Sequence, residues 1–251
     1  MRLFASQIGL ISSSSPVAIF ARNRIAARKD VEKVQEKAAR SSDGKPERRD
    51  FLSRFTEAHH KDPEFIGQER VLALTVANMF AGSDTTAISL RAIFYYLLRN
   101  PEDMENLMKV LEEHREKDGS THSDGSFNWN SVKNFPYLSA VVKEGLRCHP
   151  AVGLTLERIV PPQGITICGK VVPGGTIVGC SAWTVHRDAL FGAHPERFRP
   201  RRWIEASPEQ KRLMENSIFT FGAGSHTCIG KNISYLEMYK LVPALLTRFE
   251  V

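Results

Sequence analysis

The sequence predicts a mainly α-helical fold with a small β element. Three observations carry this. A long apolar run begins after Gly67 and stops before Asn100-Pro101. Amphipathic helical patterns follow it, at Pro101 to Lys117 and Pro136 to His149. β-branched residues concentrate in one stretch, from about Leu154 to Val178. With 251 residues, 42% hydrophobic and 25% charged, with 17 glycines and 13 prolines, the chain has globular composition and can bury the core of one domain over 1–251.

Taken in order, Ser14 to Arg40 has a helical pattern with alternating charges (Asp30, Glu32, Lys33, Glu36, Lys37), as on a solvated helix face, and a polar break follows at Ser41 to Pro46. Asp50 to His60 reads as a short helix. The long run after Gly67 is apolar nearly all round (Val71, Leu72, Leu74, Val76, Met79, Phe80, Ile88, Leu90, Ile93, Phe94, Leu97, Leu98), which predicts a helix inside the protein. A polar loop from Asp118 to Asn130 separates the two amphipathic helices, and Pro150 closes the second. Leu154 to Val160 and Ile165 to Val178 read as short strands broken at Gly164, Gly169 and Gly174-Gly175. Ala189 to Asn216 shows little regular pattern, and a final helix is predicted from about Cys228 to Leu246.

The net charge of +6 and pI of about 9.2 suit an anionic partner. The arginines at 197, 199, 201 and 202 lack the interleaved aromatics of a base-stacking surface, which argues against nucleic-acid binding. Cys148, Cys168, Cys180 and Cys228 form no C-x-x-C pair, so neither a zinc ribbon nor a disulfide framework is indicated. The apolar run Ile8 to Ile11 is too short to span a bilayer. The basic, acid-poor start up to Asp30 fits a transit peptide and an internal basic helix equally.

The segment Phe221-Gly222-Ala223-Gly224-Ser225-His226-Thr227-Cys228-Ile229-Gly230 stands before the last predicted helix. A sulfur at a helix N-terminus meets the positive end of the dipole and unpaired N–H groups, surroundings that favour thiolates. Gly222, Gly224 and Gly230 permit positive φ and close approach to a flat group, and Phe221 is placed to cover the sulfur. The alternative is a glycine turn with Cys228 as a small buried hydrophobe.

Phe-Gly-x-Gly-x-His-x-Cys-x-Gly resembles the haem-binding signature of the cytochrome P-450 family. The resemblance implies Cys228 as the proximal ligand of haem b, whose thiolate pushes electron density toward O–O cleavage, with Phe221, Gly222, His226 and Gly230 around the cofactor and His226 at a propionate.

In Ala81-Gly82-Ser83-Asp84-Thr85-Thr86, mid-helix, Gly82 costs about 1 kcal/mol relative to Ala. Thr85, four residues after Ala81, is placed to loosen the helical ladder and open a polar notch; otherwise the hydroxyls simply bond one turn back and Asp84 reaches solvent. The stretch resembles the family's oxygen-activating helix, which implies that Thr85 bonds dioxygen or its water and that Asp84 relays protons.

Glu144 and Arg147 share a helix face, an arrangement common on surfaces. Before Cys148-His149-Pro150 they resemble the family's Glu-x-x-Arg pair, which a second arginine completes. Pro195-Glu196-Arg197-Phe198 matches the usual motif literally, but counting from His186-Arg187-Asp188 and back from Cys228 selects Arg202 in Pro200-Arg201-Arg202-Trp203, with Arg201 where glutamate is usual. Arg158 resembles the propionate-binding arginine, or is an edge-strand surface charge. His186 and Asp188 are assigned structure and no chemistry.

The likeness runs from about Phe51 to Val251 and implies a partial domain, the C-terminal half of the family fold, without its N-terminal half or membrane anchor. It further implies a haem-dependent monooxygenase inserting one atom of O2 into a small organic substrate, a secondary metabolite or xenobiotic as in fungal microsomal members. Electrons would come from NADPH through a flavoprotein reductase. A full-length member would sit at the endoplasmic reticulum membrane, reached through segments outside this chain; the chain alone, lacking an anchor, would be cytoplasmic. The competing expectations are a truncated, inactive fragment and a non-catalytic haem-binding protein.

Overall fold

The computed structural model describes residues 19–23, 25–26, 50–115, 121–122 and 126–249. The readings over 27–49 and at the extreme N-terminus lie outside these residues. The chain divides into two compact units, 1–84 and 85–251.

In the first unit, residues 19–23 and 25–26 are helical. Helix α1, Phe51–Lys61, begins where Asp50 accepts the Ser53 N–H at 2.8 Å. Helix α2, Gln68–Arg99, starts in this unit and passes the boundary at Asp84. It is α-helical throughout, so residues 81–86 do not break the ladder. Ser83 Oγ donates to Met79 O at 2.7 Å and Ser89 Oγ to Thr85 O at 3.0 Å, so these hydroxyls sit one turn back without displacing backbone bonds. By length and composition α2 is long and apolar enough to cross a membrane; it carries exposed Asp84 at its middle and buries Thr86 and Ser89.

In the second unit, α3 (Pro101–Arg115) has Glu102 and Asp103 in its first turn and His114 and Arg115 in its last, matching the helix dipole. A short α4, Trp129–Val132, capped by Asn128, interrupts the predicted loop. Helix α5, Pro136–Cys148, opens with Pro136 in the first turn, where no N–H is needed. Ile93 and Leu97 of α2, Leu107 and Leu111 of α3, and Leu138, Val141, Val142 and Leu146 of α5 share one core. The last helix adds Met238, Val242 and Leu246 to it. A Cβ on Gly145 would lie 2.5 Å from Ile93 Cγ1, so α2 and α5 approach as closely as they do because position 145 has no side chain. Among the described residues Phe80, Tyr95 and Leu98 of α2 are exposed, against the expectation of burial nearly all round.

Strands β1 (Thr155–Ile159) and β4 (Ile177–Ser181) pair antiparallel, Thr155 opposite Ser181, and enclose the hairpin of β2 (Ile165–Ile167) and β3 (Lys170–Val172). Beyond them lie α6 (Ala182–Val185), a 3₁₀ turn at Ala189–Phe191, α7 (Arg202–Glu205) and α8 (Pro208–Asn216). Ala189 to Asn216, where the sequence shows little regular pattern, is ordered by Phe191, Trp203 and Met214, which pack with Ala140 into a second small core. The final helix, α9, spans Lys231–Leu246 with Gly230 as its cap, three residues later than predicted.

Candidate functional site

The late start of α9 follows from how the cysteine loop is folded. The Cys228 N–H bonds back to Phe221 O at 2.9 Å, so Cys228 closes a loop and does not open the helix. The Gly222 N–H bonds to Phe219 O at 2.9 Å, and the chain then turns through Gly222 and Gly224, with φ of 70° and 68°. Those values favour glycine, and a 3₁₀ turn over Gly224–His226 is closed by Thr227, whose N–H and Oγ1 both reach Gly224 O, at 3.1 and 2.8 Å. A Cβ on Gly230 would come within 3.7 Å of Cys228 Sγ. Phe221 packs at a tilt against Tyr235 (5.2 Å between rings, 44° between their planes) and leaves Cys228 exposed, where the sequence places the ring to cover the sulfur.

Cys228, His226, Phe221, Gly222, Arg158 and Thr85 all line one cavity of about 210 Å³. Thr86 and Ser234, also in its wall, bond hydroxyl to hydroxyl at 3.1 Å and join α2 to α9 there. Ala151, Val152, Leu156 and Phe219 supply apolar wall. Arg158 Nη1 donates to Glu157 O at 2.7 Å. Asp84, one residue before Thr85 on α2, is exposed. Gly230 caps α9 beside the sulfur.

Glu144, Arg147 and Arg202 meet in the interior. Glu144 is fully buried and its carboxylate accepts five N–H bonds. Arg147 donates from Nε (2.9 Å) and Nη2 (2.8 Å), Arg202 from Nε (2.9 Å), Trp203 from Nε1 (2.9 Å) and Arg199 from its backbone (2.8 Å). Arg147 also reaches His186 O and Pro195 O, at 2.7 and 2.5 Å. Burial opposes the Arg147 charge, but the bonds to Glu144 outweigh it and hold its pKa above the usual guanidinium value. Arg197 points out, its side chain 73% exposed, while its carbonyl accepts from both Arg147 and Arg202. Arg201 lies 3.5 Å from Glu102 on the surface.

Cys148 sits beside this network, with Arg147 Nη2 3.0 Å from its sulfur; burial and then the Glu144 carboxylate push its thiol up to about 12, which keeps it protonated. Sequence reasoning gave His186 no role, yet it is fully buried and bonded on both ring nitrogens, to Arg147 O (3.1 Å) and the Phe219 N–H (2.7 Å). No spacing signal announces such a bridge, since its two partners are 39 and 33 residues away.

The cytochrome P450 family model matches residues 22–251. The chain belongs to the cytochrome P450 family. It is similar to a cytochrome P450 monooxygenase of Aspergillus terreus (strain NIH 2624 / FGSC A1156), 47% identical over 239 residues, 95% of this chain and 47% of the relative. It is also similar to cytochrome P450 monooxygenase cicH of Emericella nidulans, 46% identical over 81% of this chain and 40% of the relative, and to mpaDE of Penicillium brevicompactum, 41% identical over 86% and 25%. The chain spans less than half the length of these curated relatives. Membership implies haem, and the cytochrome P450 cavity fits it by donor chemistry. One sulfur opens into a largely apolar wall that also carries a guanidinium and an imidazole, the partners for one iron and the carboxylates of a flat macrocycle.

Proposed function

We propose that this chain carries the haem-binding portion of a monooxygenase that inserts one atom of O2 into a small organic substrate, of secondary-metabolite or xenobiotic type. The observation that carries the reading is the convergence of Cys228, Arg158, His226 and Thr85 on one cavity. Haem bound there supplies oxygen activation, with the thiolate as electron-donating ligand.

The chain's own residues divide the remaining work. Cys228 Sγ ligates the metal, and Arg158 and His226 pair with the propionates. Gly222 and Gly224 let the backbone pass close to the macrocycle, while Phe221 and Gly230 limit what lies around the sulfur. Thr85 would hold a hydrogen bond to a water in the cavity, and exposed Asp84 would exchange protons with solvent beside it. Glu144, Arg147 and Arg202 lock the region that presents the loop. NADPH is the electron source, through a flavoprotein reductase whose acidic surface suits the net charge of +6 and the exposed Arg197 and Arg199. The endoplasmic reticulum membrane is the place this reading assigns to the full-length protein.

The test is to add haem, reduce it and record the carbon monoxide difference spectrum. A thiolate-type Soret band, lost in Cys228→Ser, is the expected result. A chain that takes up no haem refutes the reading, and uptake with an unchanged spectrum in Cys228→Ser removes Cys228 as ligand. A thiolate spectrum without turnover of any substrate in a longer version of the protein would leave a non-catalytic haem-binding protein.

A further inference from the structure

The last turn of an α-helix leaves four carbonyls with no partner inside the helix. In α5 these belong to Gly145, Leu146, Arg147 and Cys148, and every one is taken. The His149 N–H reaches Gly145 O at 2.9 Å. Thr220 Oγ1 donates to Leu146 O at 3.1 Å, His186 Nδ1 lies 3.1 Å from Arg147 O, and Arg187 Nη2 donates to Cys148 O at 3.0 Å. Only the first of these is local. The other three attach the helix that carries Glu144 and Arg147 to the 186–187 turn and to Thr220 in the segment entering the cysteine loop.

His186 is the member with two attachments. The Phe219 N–H points at its Nε2 at 2.7 Å, and an N–H donor requires a lone pair there. The ring proton is therefore on Nδ1, which donates it to Arg147 O. The ring is fully buried and packs edge-on against Phe191, 6.0 Å between centroids. From Phe219 the bonding continues inward: its carbonyl takes the Gly222 N–H, and Phe221 O takes the Cys228 N–H.

We propose that His186 is a positioning residue: as a neutral imidazole protonated on Nδ1, it ties Phe219 to the carbonyl end of α5 and so fixes where the loop presents Cys228. The proposal deepens the haem–thiolate reading and rests on it. The charged groups that bear on the ring are the cations Arg147 and Arg187, so a proton on Nε2 would break the Phe219 bond and add a buried cation beside buried Arg147 and half-buried Arg187. Burial and then those two cations hold the His186 pKa down at about 4, although the bond to Arg147 O works the other way.

Two measurements on the full chain test this, and neither involves haem, so their failure is separable from failure of the carbon monoxide spectrum. The first reads the tautomer and charge of His186 in wild-type protein by nitrogen NMR of the ring, assigned by its loss in His186→Gln. The expected signature is a neutral ring protonated on Nδ1 that stays neutral at pH 5.5. A proton on Nε2, or titration near the ordinary histidine value, overturns the proposal.

The second follows amide hydrogen exchange. In His186→Phe, which fills the space without either bond, Phe219 should exchange about tenfold faster relative to the amides of Leu107 and Leu111. His186→Gln, whose side-chain oxygen can replace Nε2 as acceptor, should recover most of that protection. Equal Phe219 protection in wild type and His186→Phe overturns the proposal, and so does a Gln variant no better than Phe. If His186→Phe fails to fold, the wild-type tautomer decides alone.

Discussion

Replacing Glu144 with Gln preserves shape and removes charge at the buried carboxylate that five N–H groups share. Oε1 accepts from Arg147 Nη2, the Arg199 N–H and Arg202 Nε, and Oε2 from Arg147 Nε and Trp203 Nε1. The Gln amide does least harm with its NH2 at the Oε2 position, where it still confronts two N–H donors and forfeits both bonds. Bonds to a charged group contribute about 1.5–3 kcal/mol each. Two lost bonds therefore cost about 3–6 kcal/mol, which overlaps the roughly 3–5 kcal/mol known for breaking a buried ion pair from one side. A loss of about 3–5 kcal/mol is a large share of the roughly 5–15 kcal/mol that holds a typical domain together. For a chain of this size it lowers Tm by about 6–20 °C. The assay is urea and thermal unfolding followed by circular dichroism, with Glu205→Gln as control. The Glu205 bridge to Arg199 is 2.5 Å long but about half exposed at both ends, and its loss should cost under about 1 kcal/mol. If Glu144→Gln costs no more than Glu205→Gln, the buried network is not what stabilises this region.

Three further outcomes follow from the same geometry. Arg202→Ala should cost about 3 kcal/mol or more by taking one of its two guanidiniums from the buried Glu144 carboxylate, whereas Arg197→Ala, whose side chain is 73% exposed, should change the urea midpoint hardly at all; equal effects would reverse the choice between the two arginines. Gly145→Ala gains helix propensity but drives a Cβ against Ile93, so a net loss of about 1–2 kcal/mol is expected, and the double variant with Ile93→Ala should be more stable than the two single losses added together. His186 gives stability a pH slope. The unfolded histidine binds its proton near pH 6.5 and the folded one only near 4, so the unfolded state holds more protons between those values. Stability is then full above about pH 6.5 and declines by about 3 kcal/mol as pH falls to about 4; His186→Gln should flatten that part of the urea midpoint profile.

The elements legible in the sequence were those fixed by local chemistry. The apolar run of α2, the acid-first and base-last pattern of α3, and Pro136 at the head of α5 all stand in the structure within a few residues of their predicted ends. The cysteine loop was legible because its turns need glycine at fixed offsets. Helix α8 carried readable signals that went unused: Ser207 caps it through the Gln210 N–H at 3.2 Å and Pro208 opens it, a start pattern hidden among arginines and prolines. The start of α9 was misplaced because the Cys228 N–H is claimed by Phe221, a bond across the loop that no helical periodicity reveals. The choice of Arg202 came from counting along the chain; what separates it from Arg197 physically is that only its guanidinium turns inward to Glu144.

The carbonyl end of α5 also constrains the order in which the protein can be made. Leu146 O and Arg147 O find their donors 74 and 39 residues later in the chain. While a ribosome is still translating the strands, the carbonyls of Leu146, Arg147 and Cys148 have only water to bond, and the turn frays until the 186–187 turn and then Thr220 emerge. Docking of the cysteine loop is thus among the late, long-range closures in folding, and substitutions that slow it would show as delayed maturation before any change in the finished protein.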